Sequence, residues 1–317
     1  MRRQDTFMPL VSIIMNVRNG SHFLREALDS VLAQTLADWE LIVWDDRSTD
    51  DSAKIVSQCR ESRIRYFLSP EETPLGLARE LAIRQATGEW LAFLDQDDIW
   101  VPGKLERQMA LSEDNVGIIY GRTVLFDARR GDLRDYDYAH EFESLPEGDI
   151  FALLFRDACF IAMSSAVLRR SAVVEIGGIP RAIEVVPDYY LYTAIARRWQ
   201  ARAVQDVICR YRIHQGSLTR MPRYRLQLHA EPLAIVESWA DCLDPQLAAH
   251  RRMTYSTALA LEEITRMRTR WTGLRRLLSD GSMLWLLSRP TAIGWRLLRR
   301  RFRRPYWRTT EYGCAQD

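Results

Sequence analysis

Apolar runs and polar breaks alternate with a short, regular beat through the first hundred residues. Leu10 to Met15 (LVSIIM) is β-branched and apolar, and it stops at Asn16-Val-Arg-Asn-Gly20, a cluster suited to a turn. Phe23, Leu24, Ala27, Leu28, Val31 and Leu32 then recur at helical spacing, with Ser21 placed to cap the helix. Trp39 to Trp44 (WELIVW) predicts a second strand, followed by Asp45-Asp-Arg-Ser-Thr-Asp50 and a short helix from Ser52 to Cys59. Ile64 to Leu68 reads as a third strand, Leu77 to Ala86 as a helix, and Trp90 to Leu94 as a fourth strand after Gly88. This alternation implies an α/β fold: a mostly parallel sheet with helices on both faces, whose ligands gather beyond the carboxyl ends of the strands. Asn16, Asp45, Asp46 and Asp95 fall at such ends.

Further along, Asn115 to Phe126 is strand material, Ala158 to Leu168 is apolar again, and Ala203 to Tyr211 predicts a final strand. After about residue 222 the strand pattern gives way to helical segments. The expected organisation is therefore an α/β domain over residues 1–222 and a helical extension over 223–317.

The fourth strand runs directly into chemistry, in GEWLAFLDQDDIWVPGK from Gly88 to Lys104. Asp95, Asp97 and Asp98 repel one another and are costly to desolvate unless a cation sits among them. A hard divalent metal answers that repulsion, because it accepts one or two carboxylates and fills its other positions with phosphate oxygens. An acidic turn capping a helix near Pro102 answers it equally well. No Gly-x-Gly-x-x-Gly follows the first strand and no Gly-Lys-Ser/Thr loop occurs, which removes the main support for dinucleotide oxidoreductases and P-loop nucleotidases.

Composition narrows the class further. The 317 residues suffice for a sizeable core, no run approaches the length of a membrane span, and the first ten residues carry no secretory signal pattern, so a cytoplasmic location is expected. Five scattered cysteines without a Cys-x-x-Cys pair indicate neither a disulfide framework nor a zinc site. A formal charge of +2 conceals an asymmetry: Gly281 to Thr310 holds no Asp or Glu and eight arginines, among them Arg299, Arg300 and Arg301. Interleaved with Trp295, Leu297, Leu298 and Phe302, they suit a helix lying on an anionic membrane surface, or one packed on the rest of the chain with its arginines solvated. Nucleic acid is not expected, since the basic run lacks any reading module.

VSIIMNVRNGSHFLREALDSVLAQTLADWELIVWDDRSTDDS, followed by GLARELAIRQATGEWLAFLDQDDIW, resembles the amino-terminal half of the family 2 glycosyltransferases with the GT-A (Rossmann-like) fold, over about 90 residues. That resemblance implies an inverting transfer from a nucleotide-diphosphate sugar to an acceptor hydroxyl, assisted by Mn²⁺ or Mg²⁺, in polysaccharide or glycolipid synthesis. It puts Asp45, Asp46 and Arg79 by the nucleotide, Asp95 by the ribose and metal, and Asp97 on the metal. Tyr211-Arg-Ile-His214 resembles a segment whose Arg lies near the phosphates, here Arg212, and whose His completes the metal site or touches the diphosphate, here His214. Asn16-Val17-Arg18-Asn19 replaces the usual Pro-x-Tyr-Asn, so Arg18 stands where an aromatic ring meets the base. The looser match continues to Arg169-Arg-Ser-Ala-Val-Val-Glu-Ile-Gly-Gly178, a short helix ending in Gly-Gly, while the Tyr-rich stretch from Asp127 to Glu147 reads as a surface loop near the acceptor.

Val186-Pro-Asp188 stands where the family usually has Glu-Asp before a helix, which makes Asp188 the candidate base that takes the acceptor proton. An Asp in front of a helix is also a favoured cap. The implied partners are a nucleotide-sugar donor, a saccharide or lipid-linked acceptor and, through the tail, the inner face of a membrane. Two other classes stay open at this level: a nucleotidyltransferase on a related sheet, and a non-catalytic sugar-nucleotide or membrane-binding protein.

Overall fold

The computed structural model describes residues 9–127, 131–156 and 159–265. The arginine-rich tail, and with it the expected membrane contact, lies outside the described residues. Within them, no helix is long and apolar enough to cross a membrane.

The chain opens with strand β1 (Val11–Val17), helix α1 (Leu24–Leu32), β2 (Trp39–Asp45), α2 (Ser52–Ser57), β3 (Ile64–Leu68), α3 (Leu75–Ile83) and β4 (Trp90–Phe93). These four strands run parallel in the order β3-β2-β1-β4, with Ile14 paired to both Ile42 and Phe93. The predicted alternation is thus what the first ninety residues form. Helix α1 starts two residues later than a Ser21 cap would place it, with Phe23 before its first turn and no side-chain cap. The Ser21 N–H instead donates to Asp50 Oδ2 at 2.9 Å, so this residue joins two loops.

β5 (Ile99–Trp100), α4 (Lys104–Met109), β6 (Val116–Asp127), β7 (Gly131–Asp137), α5 (Phe151–Arg156), β8 (Val167–Arg169), α6 (Arg170–Glu175), α7 (Pro187–Ala196) and β9 (Gln200–Arg212) follow. β8 enters antiparallel between β4 and β6, β9 lies parallel beside β6, and β5 closes the edge antiparallel to β9. β7 pairs antiparallel with β6, so the stretch read as a loop from Asp127 to Glu147 contains a strand. The two glycines after α6 both adopt left-handed φ, +80° at Gly177 and +73° at Gly178, which ends the helix as the Gly-Gly pair predicts.

Side chains alternate across the central strands. Ile13, Met15, Leu41, Val43 and Ala92 join Leu24, Leu28 and Val31 of α1 in one cluster, together with Trp39, Trp90 and Trp100, each about 1% exposed. A buried tryptophan removes roughly 150 Å² of apolar surface from water, about 4 kcal/mol apiece, which anchors the sheet from which the site loops project.

Two compact units result, one ending at Met221 and the other starting at Pro222. In the second, α8 (Gln227–Trp239) and α9 (Pro245–Thr265) pack on each other, and Arg252 grips Glu237 through two hydrogen bonds of 2.6 and 2.9 Å.

Candidate active site

The acidic loop after β4 is built on two interior supports. The Ser164 hydroxyl accepts the Asp95 N–H at 3.1 Å and donates to Asp98 Oδ2 at 2.5 Å, while the Ser164 carbonyl takes the Trp100 indole N–H at 2.6 Å. From β9, the Arg212 N–H donates to Asp98 Oδ1 at 2.9 Å and its Nε to the Asp97 carbonyl at 2.8 Å. Asp98 is 1% exposed, and burial, with Asp97 and Asp95 adding repulsion, pushes its carboxyl well above the usual range. It is the internal clasp of the loop. Arg212, expected near phosphates, stands beneath that loop with its NH2 on Glu26 at 2.9 Å and its plane over Phe23 and Phe126. The sequence gives no sign of Ser164 or Glu26, because neither lies near the acidic motif along the chain.

The two other aspartates of the loop diverge. Asp97 Oδ2 lies 2.7 Å from His214 Nε2, and the Gly216 N–H donates to Nδ1 at 3.2 Å. Asp95 instead accepts Arg79 NH2 at 2.6 Å, from an arginine that α3 buries to 4% side-chain exposure. Among the described residues no set of three His, Cys, Asp or Glu side chains encloses a cation site. The Asp97 carboxylate and the His214 imidazole form a two-ligand donor set for Mn²⁺ once Nε2 gives up its hydrogen bond to Asp97 and phosphate oxygens supply the other positions.

Asp188 occupies the first turn of α7 rather than the position before it; the flanking residue is Val186, and no side chain caps the helix. Its Oδ1 accepts the adjacent Tyr189 N–H at 2.9 Å. Burial raises its carboxyl and Arg79 partly offsets that. Asp95 is raised in the same way, by burial first, with Arg79 opposing and Asp97 and Asp188 reinforcing. One buried guanidinium therefore acts on both carboxylates. α3 is held against the approach to α7 at Gly76, whose N–H donates to the Glu184 carbonyl at 3.0 Å, and by Glu80, which accepts the Ile179 N–H at 2.9 Å.

The loops after β1 and β2 carry the remaining candidate residues. Asp45 accepts the Ser48 N–H and the Tyr66 hydroxyl, both at 2.7 Å. Asp46 accepts the Thr73 N–H and hydroxyl at 3.0 Å, and Arg18 NH1 stands 3.5 Å away while its NH2 pairs with Glu72. Burial outweighs these donors and raises the Asp46 carboxyl. Gln96, between the two metal-type aspartates, accepts the Arg18 N–H at 2.8 Å and returns its own amide N–H to the Arg18 carbonyl at 3.2 Å. Asn16 and Trp44 sit side by side in the β1–β2 register, and both Asn16 amide atoms and the Trp44 indole nitrogen are buried without a partner. Such atoms call for a ligand or an ordered water.

The structure thus brings Asp95, Arg79 and Asp188 together, and separately Asp97 with His214. Asn16, Arg18, Asp45 and Asp46 gather at the other end. Thr73, Tyr66 and Gln96 join them without any signal in the one-dimensional pattern.

A family model described as glycosyl transferase family 2 matches residues 12–177. Two Escherichia coli proteins, the UDP-Glc:α-D-GlcNAc-diphosphoundecaprenol β-1,3-glucosyltransferases WfgD and WfaP, are each 32% identical to the chain. WfgD aligns over 66% of this chain and 79% of its own length, and WfaP over 67% and 80%. Among solved structures, S. aureus TarS in complex with UDP-GlcNAc superposes with a TM-score of 0.60 at 17% identity, over 82% of this chain and 74% of that one. The mannosyltransferase PcManGT from Pyrobaculum calidifontis, in complex with GDP-Man and Mn²⁺, gives 0.57 at 19% identity, over 94% and 87%. Both likenesses concern the fold.

Proposed function

The chain belongs to glycosyl transferase family 2, and on that premise we propose that it moves a sugar, with inversion, from a uridine-diphosphate sugar to a hydroxyl of a lipid-linked saccharide. That it is a glycosyltransferase follows from its family; the donor and acceptor classes are inferred from what WfgD and WfaP use. The observation that carries the mechanism is Arg79, which binds Asp95 and acts on Asp188 at the same time.

In this reading Asp46, Arg18, Asn16 and Asp45 receive the nucleoside end of the donor. Asp97 and His214 would hold a divalent cation that, when bound, neutralises the charge developing on the departing diphosphate. Asp188 accepts the proton of the acceptor hydroxyl as that oxygen forms its bond to the anomeric carbon and the bond from carbon to diphosphate oxygen breaks. Burial raises the Asp188 carboxyl, which makes its carboxylate a stronger proton acceptor. Arg79 opposes the effect of burial and favours the carboxylate form. Arg212 serves as a brace for the acidic loop.

Asp188→Asn tests the assignment. Transfer should fall by roughly 10²- to 10⁴-fold, while stabilisation by UDP in a thermal-shift assay with Mn²⁺ persists. Transfer at the wild-type rate would remove Asp188 from the role. If no UDP-sugar stabilised the wild-type protein, the donor class would have to be abandoned.

A further inference from the structure

Two tyrosines beside the site leave their hydroxyls without a hydrogen bond among the described residues. Tyr211 lies in β9, paired with Leu125 of β6, immediately before the Arg212 that braces the acidic loop. Tyr138 follows β7, and its N–H donates to the Thr123 carbonyl of β6 at 2.9 Å. Their rings meet with centroids 6.0 Å apart at 50°, and both are half-buried. Elsewhere in the described residues three tyrosines of the sheet and its covering helices use their hydroxyls. Tyr66 binds Asp45, Tyr120 binds the Pro146 carbonyl at 2.6 Å, and Tyr192 reaches the Met163 sulfur at 3.2 Å. Neither Tyr138 nor Tyr211 has such a bond, and neither phenol oxygen is among the buried unpartnered atoms, so both remain open to solvent.

Their surroundings say which end of the site they face. Burial raises both phenols; after it come Cys159 and Asp188 for Tyr138, and Asp98, Asp97, Asp95 and Asp188 for Tyr211. Tyr211 immediately precedes the Arg212 that holds Asp97 and Asp98, and Tyr138 meets it ring to ring, so the pair lies beside the acidic loop; Asp188 is the carboxylate that acts on both phenols alongside it. Both hydroxyls stay protonated at any working pH, so each can donate a hydrogen bond as well as accept one. An aromatic face flanked by such groups is complementary to a pyranose ring, whose C–H face is apolar and whose rim is hydroxylated.

We propose that Tyr138 and Tyr211 form the platform for the acceptor saccharide, stacking on its ring and hydrogen-bonding its rim so that the attacking hydroxyl is turned towards Asp188. This rests on the transferase reading above.

The test uses the full chain with UDP-glucose, Mn²⁺ and a synthetic lipid-diphosphate N-acetylglucosamine as acceptor. Tyr138→Ala and Tyr211→Ala should each raise the acceptor KM about 3- to 10-fold, with UDP affinity held at the wild-type value. Tyr→Phe at either position keeps the ring and should give a smaller rise. Should an alanine variant melt early, Tyr→Leu keeps the volume without the aromatic face and serves in its place. Unchanged acceptor KM in variants of a wild type that does transfer would overturn the platform alone, as would a loss of UDP affinity in step with transfer. A wild type that neither binds UDP-glucose nor transfers it would overturn the donor and acceptor assignment proposed above, and the platform with it.

Discussion

Lys104 offers a measurement that reads the interior directly. It is 0% exposed, its Nζ donates to Gln108 Oε1 at 2.6 Å, and it lies 4.1 Å over the Trp100 ring. No carboxylate among the described residues is paired with it, and burial pulls its ammonium from the ordinary 10.5 down to about 7. A lysine whose folded value is depressed is protonated in the unfolded chain and neutral in the folded one between those two pH values. The unfolded state then binds more protons, so stability rises with pH across that window. Integrating the two titrations puts the penalty at about 5 kcal/mol at pH 6, about 3 at pH 8 and about 1 at pH 10. Lys104→Met removes the charge and keeps most of the stem, at a cost of about 1–3 kcal/mol for leaving Gln108 Oε1 without its donor. The variant should therefore be more stable than wild type at pH 6 and equal or less stable at pH 10, with the difference changing by about 4 kcal/mol. Urea unfolding of both proteins from pH 6 to 10 gives that difference, and groups common to the two cancel. A difference that stays flat across the range would refute the reasoning.

Arg79→Met removes the cation shared by Asp95 and Asp188, so both carboxyls should rise further; the acid limb of the kcat/KM profile should move to higher pH, and a pH-rate series in which that limb stays put would count against the coupling. Gly76→Ala would set a Cβ 1.8 Å from the Ile183 carbonyl, so α3 must retreat from the segment that leads to α7; a loss of about 1–3 kcal/mol in melting experiments and a fall in kcat are expected, and wild-type values in both would show that the contact is dispensable.

Much of this architecture is legible in the one-dimensional pattern because β1, β2 and β4 are apolar, buried runs ended by polar breaks. A strand buried on both faces leaves that signature. β8 and β5, of three and two residues, are too short to announce themselves, and the direction of β8 depends on tertiary packing. β7 is hidden for a different reason, since its sequence, GDLRDYD, is polar throughout. At the site, carboxylates at strand ends were readable from repulsion alone. Which carboxylate does what was not: Asp98 turned inward to Ser164, Asp95 turned to Arg79 and Asp97 turned to His214, each chosen by a partner distant in sequence. Ser21, by contrast, fits the capping rule locally and was drawn off by Asp50.

The reciprocal amide clasp between Gln96 and the Arg18 backbone joins the loop after β1 to the loop after β4. Two loops that a ligand would otherwise have to gather are already immobilised relative to each other. On the proposed reading, the spacing between the residues offered to the base and those offered to the diphosphate is thereby set when the chain folds, before any donor arrives, and the ordering entropy is not charged against affinity. Such a spacing works as a gauge. A donor whose base-to-diphosphate span matches it would seat without adjustment, and one that is longer or shorter would have to break the clasp to enter.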